Sequence, residues 1–291
     1  MLRLFHSNRT EALLEALTGE VARAQREAGR SPLDPLHLVV PNRNVEAYVK
    51  LGLARAHGVA AGLEAHLLRR FSRAVLAAAL PDVGVCSRDE LLTGLLAALG
   101  DEALLARPDL APVRSYLDAD GNTSLGAREL RRFQLADELS RLYDEYALAR
   151  PDMLASWERG VTLTGTPFEG LEAWQRALWL ATFGPAAPGR AVAPLGEALE
   201  RAAGRLALPG SEVFVFGFSY MAPIYLKLLA ELARRTPVAI FTLNPCRELW
   251  EDVARDDTLD PLPLRIWGKP GREYVHAVDL LANHDRSGEP F

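Results

Sequence analysis

Two short apolar runs, 2–5 and 36–40, each lead straight into a segment of helical spacing, and no such pair recurs until residue 212. After the first run, Leu14, Leu17, Val21 and Ala24 repeat at helical intervals. Asn8 stands three residues before Glu11, which predicts a capping box at that helix start. Gly29 and the stretch 31–35 end the helix. The second run, closed by Pro41-Asn42, reads as another buried strand, followed by a helix over 44–57 with Gly58 as its C-cap. Strand, helix, strand, helix at this spacing requires a parallel sheet with crossover helices.

From about 87 to 206 the periodicity is helical and no strand is predicted. The clearest helix covers 130–149, with Leu135, Leu139, Leu142 and Tyr146 on one stripe, and Trp157, Trp174 and Trp179 add bulky anchors. Strands return at 212–217 and 238–243, on either side of a helix over 222–235. The expectation is an α/β sheet domain, 1–84 with 207–260, interrupted by an all-helical insertion over 85–206. A C-terminal extension, 261–291, carries a turn at Trp267-Gly-Lys-Pro-Gly-Arg-Glu-Tyr274 and then a helix. With 49% hydrophobic residues in 291, there is ample material for a core. A net charge of −5 speaks against a domain wrapped in nucleic acid on all sides, though not against a local basic groove. Cys86 and Cys246 suggest no disulfide framework and a reducing cytoplasm. The apolar start is too short for a signal peptide, and no apolar run approaches the roughly 18 residues of a membrane span.

The first strand–helix turn is where a nucleoside triphosphatase carries GxxxxGK[ST], whose backbone N–H groups and lysine hold phosphates. Here the turn is Ser7-Asn8-Arg9, without glycine, and the first lysine of the chain is Lys50. No ATP hydrolysis and no cofactor are expected. Residues 6–9 could hold an anion at a helix N-terminus, but capping with a surface arginine is the simpler reading. Asp118, Asp120, Asn122 and Glu129 fall on positions of a calcium loop, yet Thr123 occupies the place of the required glycine, so a polar interhelix loop is expected. Ser219 follows Gly217-Phe218 but lacks a full nucleophile elbow, because Met221 fills its last position. His276 and His284 have no nearby cysteine, and no metal site is expected. Arg141 and Glu145 make a solvated i, i+4 pair. Arg69, Arg70 and Arg73 around Phe71 fit a phosphate grip beside a stacking ring, and fit an amphipathic helix equally well. The residues alone describe a catalytically silent α/β domain with a helical insertion.

A series of blocks resembles one family in its own order. It opens with Met1-Leu-Arg-Leu-Phe-His-Ser-Asn-Arg9, Leu38-Val-Val-Pro-Asn-Arg43 and His57-Gly-Val-Ala-Ala-Gly62. Phe133-Gln-Leu-Ala-Asp137, Tyr143-Asp-Glu-Tyr146, Arg150-Pro-Asp152, Ala173-Trp-Gln175 and Leu178-Trp179 follow. Val213-Phe-Val-Phe-Gly-Phe-Ser219 with Pro223 and Tyr225, Thr242-Leu-Asn-Pro-Cys-Arg247 with Trp250, and Trp267-Gly-Lys269 with Gly271-Arg-Glu-Tyr274 complete it. Together they cover nearly the whole chain and resemble the RecC family, the gamma subunits of exodeoxyribonuclease V.

The resemblance implies the RecA-like parallel sheet of a degenerate superfamily 1 helicase domain, interrupted by a large all-helical insertion. Members of the family are much longer, so it also implies an N-terminal fragment without the second helicase-like domain and the nuclease-like domain. It implies a non-catalytic subunit working with RecB and RecD, splitting duplex ends and scanning the 3′-ended strand for Chi during break repair, with no membrane involved. Family positions that read the strand correspond here to Leu67, Leu142, Asp144, Arg150 and Arg190. Unstacked bases need polar groups for their edges and apolar contacts for their faces, and these residue types supply both. Pro41, Arg43, Ala47 and Arg73 depart from the family's polar, amide and aromatic side chains, which weighs on Chi specificity and leaves strand passage. The alternative is a structural scaffold that holds RecB and RecD without reading DNA.

Overall fold

The structure, a computed structural model, describes residues 1–26, 34–118, 125–162, 168–185, 187, 192–243 and 274. They fall into two units. One joins Met1–Ala79 to the described residues from Ala202 onward, and the other is Leu80–Arg201. In the first, β1 (Leu2–Ser7), α1 (Thr10–Gln25), β2 (Leu36–Val40), α2 (Arg43–His57), β3 (Leu63–Leu67) and α3 (Leu68–Ala79) alternate. The second holds β4 (Gly84–Val85), α4 (Arg88–Ala98), α5 (Glu102–Leu105), α6 (Ala111–Leu117), α7 (Leu125–Ala149), α8 (Pro151–Glu158), α9 (Glu169–Phe183) and β5 (Val192–Ala193). Then α10 (Leu195–Ala202) leads back to β6 (Val213–Phe216), α11 (Pro223–Ala233) and β7 (Val238–Leu243).

The first unit is built on a five-stranded sheet in the order β1-β7-β6-β2-β3, parallel throughout. A parallel sheet covered on both faces needs continuous apolar strands, and Val213-Phe-Val-Phe216 and residues 238–242 are buried without a break. On one face Leu38, Val40, Phe214, Phe216 and Phe241 pack under Leu13, Leu17 and Val21 of α1 and Val49 and Leu53 of α2. An ionic network closes that face: Arg3 pairs with Glu20 and Glu212, and Arg23 reaches Glu20 at 3.0 Å and Glu212 at 2.6 Å. Glu212 is almost wholly buried, and two guanidiniums supply the partners that a buried carboxylate requires.

The second unit packs α4, α6, α8 and α9 around α7. Its centre is aromatic. The Trp179 ring meets Tyr143 edge-on at 5.2 Å, and Trp157 meets Tyr146 at 6.1 Å. Among the described residues no helix is long and apolar enough to cross a membrane.

Four expectations change. The helix after β1 is not capped by Asn8: its N-cap is Arg9, and Ser7 Oγ accepts from the Arg9 N–H at 3.1 Å. A reciprocal capping box forms at α4 instead, where Ser87 N–H donates to Glu90 Oε2 at 2.6 Å and Glu90 N–H donates to Ser87 Oγ at 3.3 Å. β3 had no sequence signal because Leu-Glu-Ala-His-Leu is an edge strand with one half-exposed face, running directly into a helix. β4 and β5 form a two-residue parallel ladder inside a stretch read as strand-free, too short to leave a periodicity. Finally, the buried stripe of α7 is rotated. Ala136, Leu139, Ser140, Tyr143 and Ala147 are buried, whereas Leu135, Leu142 and Tyr146 flank them half-buried. Small residues at the centre of the stripe let neighbouring helices approach, so the larger leucines are displaced to its sides.

Candidate functional site

Because the strands are parallel, their carboxyl ends share one edge of the sheet. Open α/β sheets bind ligands at that edge, where successive connections diverge. Here β2 leads outward to β3 while β6 leads the opposite way to β7, so the divergence lies between β6 and β2. A cavity of about 440 Å³ sits there, between the starts of α1 and α2 and the loop after β6. Leu13, Val45, Tyr48, Phe216 and Phe218 give it an apolar wall, and among the described residues that line it Glu11 is acidic and none is a lysine or arginine. Gly217 makes the turn beneath it. Its φ of +82° is left-handed, and a Cβ there would stand 2.9 Å from Val45 Cγ1, so both the backbone and the close approach require glycine.

Of the helix N-termini facing this cavity, that of α2 is capped by a side chain and that of α1 is not. Asn42 Oδ1 accepts from the Asn44 and Val45 N–H groups, both at 3.0 Å, and Ser7 Oγ takes the Arg9 N–H. Glu11 adds a carboxylate in the first turn of α1, where a phosphate would have to sit. Ser7, Asn8 and Arg9 form a turn in which Ser7 Oγ holds the Arg9 N–H and the Asn8 and Arg9 side chains are exposed. Beside this turn lies an apolar cavity with an acid at its rim.

Leu67 ends β3 at the same edge and is exposed. Pro41, Arg43, Ala47 and Arg73 are exposed as well, and Arg43 lies 3.6 Å from Glu46. Phe71 is buried, so it offers no stacking surface between Arg70 and Arg73: of the two readings of that segment, the amphipathic helix holds. Ser219 borders the cavity. Asp118 pairs with Arg128 at 3.0 Å and Glu129 with Arg132 at 2.6 Å, which engages the two ends of the calcium-loop pattern with arginines. Asp120 and Asn122 lie outside the described residues, as do Arg190, Cys246, His276, His284 and the 267–274 turn apart from Tyr274.

In the second unit, Leu142 and Asp144 stand on either side of buried Tyr143, about 200° apart around the helix axis, so α7 alone does not aim them at one surface. Arg150 follows the last turn of α7 as N-cap of α8 and grips Asp152 with both arms, Nε to Oδ1 at 3.1 Å and Nη2 to Oδ2 at 3.0 Å. That pairing holds the Asp152 carboxyl below the usual carboxylate range. Arg141 bridges Glu138 at 2.5 Å and Glu145 at 2.7 Å on the exposed face, as a solvated ladder. The blocks around 143–146 and 173–179 meet in the interior. Tyr143 Oη donates to the Gln175 carbonyl at 2.8 Å, Tyr146 Oη to Gln175 Oε1 at 3.0 Å, and Trp157 Nε1 to the buried Glu172 carboxylate at 2.8 Å. Burial pushes the Tyr143 hydroxyl well above its ordinary pKa.

Sequence reasoning missed the cavity and Tyr48. The available signal was Gly217 directly after an apolar strand, a glycine that no helix or tight hairpin explained.

Residues 2–290 match the family described as "RecC, N-terminal domain". The chain is similar to "RecBCD enzyme subunit RecC" of Escherichia coli (strain K12), 31% identical over 97% of this chain and 28% of that protein. It is also similar to the subunits of the same name from Haemophilus influenzae, 25% identical over 91% of this chain and 25% of that protein, and Mycobacterium tuberculosis, 29% identical over 87% and 23%. The chain spans about a quarter of the length of these curated relatives.

Proposed function

Because the chain belongs to the RecC N-terminal domain family, we propose that it is a non-catalytic, DNA-guiding part of a RecBCD-type helicase–nuclease. Its sheet is that of a degenerate superfamily 1 helicase domain with the helical unit inserted, and it works in the cytoplasm with RecB and RecD. It would help to split duplex ends and pass the 3′-ended single strand, with Chi scanning as the finer role. One observation carries the non-catalytic part. The carboxyl edge of the sheet presents an apolar cavity with Glu11 at its rim, where a nucleotide-binding turn would present free N–H groups and a lysine. Leu67, exposed at that edge, is of the type that meets base faces, and Arg150, exposed on the helical unit, is of the type that meets phosphates and base edges, which supports the strand-guiding reading for each unit by itself.

The experiment is site-specific photocrosslinking in the assembled complex, with the probe at position 67 or 150 and a labelled duplex carrying a 3′ overhang. Capture of the overhang strand at both positions supports strand guidance, and capture of neither overturns it. Calorimetry of the chain with magnesium and ATP tests the other half: saturable, Arg9-dependent binding would end the non-catalytic reading. A scaffold reading has its own support in the Arg150–Asp152 pair, which already satisfies the guanidinium.

A further inference from the structure

Strands β2 and β3 run side by side with His37 opposite Glu64 and Val39 opposite His66. Residues two apart on a strand share a face, so Glu64 and His66 project from β3 on the side from which His37 projects from β2. That is the face under α3, and the buried Phe71 ring stands 6.1 Å from the His37 ring and 5.7 Å from the His66 ring. His37 Nδ1 lies 3.1 Å from His66 Nε2, and Glu64 Oε2 lies 3.7 Å from each nitrogen.

These separations have a chemical meaning. Zinc bonds to imidazole nitrogen and carboxylate oxygen of about 2.0–2.2 Å, at tetrahedral angles, set donor–donor distances of about 3.3–3.6 Å. The observed triangle differs from that by a few tenths of an ångström, within the reach of the exposed Glu64 side chain and small ring rotations. The two imidazoles are largely buried and held by the strand register and the Phe71 ring, so the donors are arranged before any ion arrives. We propose that His37, Glu64 and His66 form a three-ligand site for one divalent zinc-class cation, with its remaining position open to solvent on the Glu64 side. Two imidazole donors select a borderline ion over magnesium or calcium, which want oxygen. β3 is an edge strand, and an ion bridging it to β2 would fasten that edge. The site lies apart from the cavity after β6, whose lining includes none of the three residues.

The test uses the metal-stripped chain. Cobalt is titrated as a spectroscopic probe, zinc affinity is measured against a chromophoric chelator, and magnesium serves as the control. One equivalent of zinc is expected to bind, with the intense visible bands of low-coordinate cobalt and no competition from magnesium. His37→Ala and His66→Ala should abolish that signal, and Glu64→Gln should weaken zinc about tenfold or more. Because Glu64 is exposed and Gln has its shape, Glu64→Gln keeps the fold even if a histidine variant does not. Zinc should raise the melting temperature of the wild type and leave that of Glu64→Gln nearly unchanged. Equal zinc affinity in the wild type and Glu64→Gln, or no uptake at micromolar zinc, would overturn the proposal.

Discussion

The two units place the same kind of sequence signal in opposite physical positions. In the sheet unit, the strands carry the stability, and Ser7, Arg9, Asn42, Leu67 and Ser219, at or beyond their carboxyl ends, lie outside the apolar core. In the helical unit, the blocks at 143–146 and 173–179 reach the core, where Tyr143, Gln175 and Trp179, with Trp157, interlock through ring contacts and buried hydrogen bonds. A sheet can therefore exchange the residues at its carboxyl edge and keep its fold. The helical unit cannot change its blocks without changing its packing. Similarity at the exposed edge of the sheet is not demanded by core packing, whereas similarity at 143–146 and 173–179 reports how α7, α8 and α9 are held together.

The sharpest way to break this contrast is a pair of truncations. Trp157→Ala empties one of the largest buried sites of the helical unit and removes the indole N–H that bonds the Glu172 carboxylate, so it is expected to cost about 3–5 kcal/mol. Arg9→Ala, at the exposed turn, should stay within about 0.5 kcal/mol of the wild type. Chemical denaturation of both variants decides the matter. Equal losses would mean that the edge carries stability after all.

Gly217→Ala is the exception on the sheet side, because there the edge is constrained by backbone as well as by contact. A left-handed alanine costs about 1–2 kcal/mol, and overlap with Val45 adds a packing cost of similar size. Adding Val45→Ala should recover the contact part and leave the backbone part. A double variant as unstable as the single one would show that only the dihedral matters.

How much was legible follows the same division. The strands 36–40 and 238–243 announced themselves because both their faces are buried, and Gly58 announced the end of α2 by its left-handed turn, φ +80°. β3 did not, because an edge strand with Glu64 and His66 on one face mimics a loop. The α7 stripe lies one position from the leucine periodicity, because Ala136, Ser140 and Tyr143 hold its centre. The turn Ser7-Asn8-Arg9 was legible as a missing phosphate loop, while the cavity was not, because its wall comes from segments more than two hundred residues apart. Nothing local in Arg150-Pro-Asp152 distinguishes a strand contact from an ion pair.

A finer probe of the helical interior is Tyr143→Phe. The ring stays and the hydrogen bond to the Gln175 carbonyl goes, at a cost of about 1 kcal/mol. The pH dependence follows from burial. The folded-state pKa of Tyr143 lies above the unfolded value of about 10, so its contribution is fully present below that pH and is lost as pH rises past it. Tyr274, pushed up to about 12 by burial, acts in the same direction. Stability should fall in alkali, and Tyr143→Phe should fall less steeply than the wild type. An unchanged slope would locate the alkaline loss elsewhere.

The smallest stability effect carries the most functional information. Arg150 and Asp152 are both solvent-exposed, so their pair is worth about 0–1 kcal/mol however good its geometry. Asp152 ionises below its unfolded pKa, so this small term is present above about pH 4 and disappears as pH falls through the folded value. Removing either partner then gives nearly the same minor destabilisation. Their effects on a bound strand should differ in sign. Arg150→Ala deletes a cation that could meet a phosphate or a base edge, whereas Asp152→Asn frees that cation from its competitor and removes a negative charge beside it. If Arg150 serves the strand, Arg150→Ala weakens crosslinking of the 3′-ended strand in the assembled complex and Asp152→Asn strengthens it, with a matching change in salt dependence. If the pair only braces the α7–α8 corner, both variants leave crosslinking and its salt dependence as they were. Similarity of the Arg150-Pro-Asp152 block to the family would then carry the same meaning as that of the aromatic core, a record of packing.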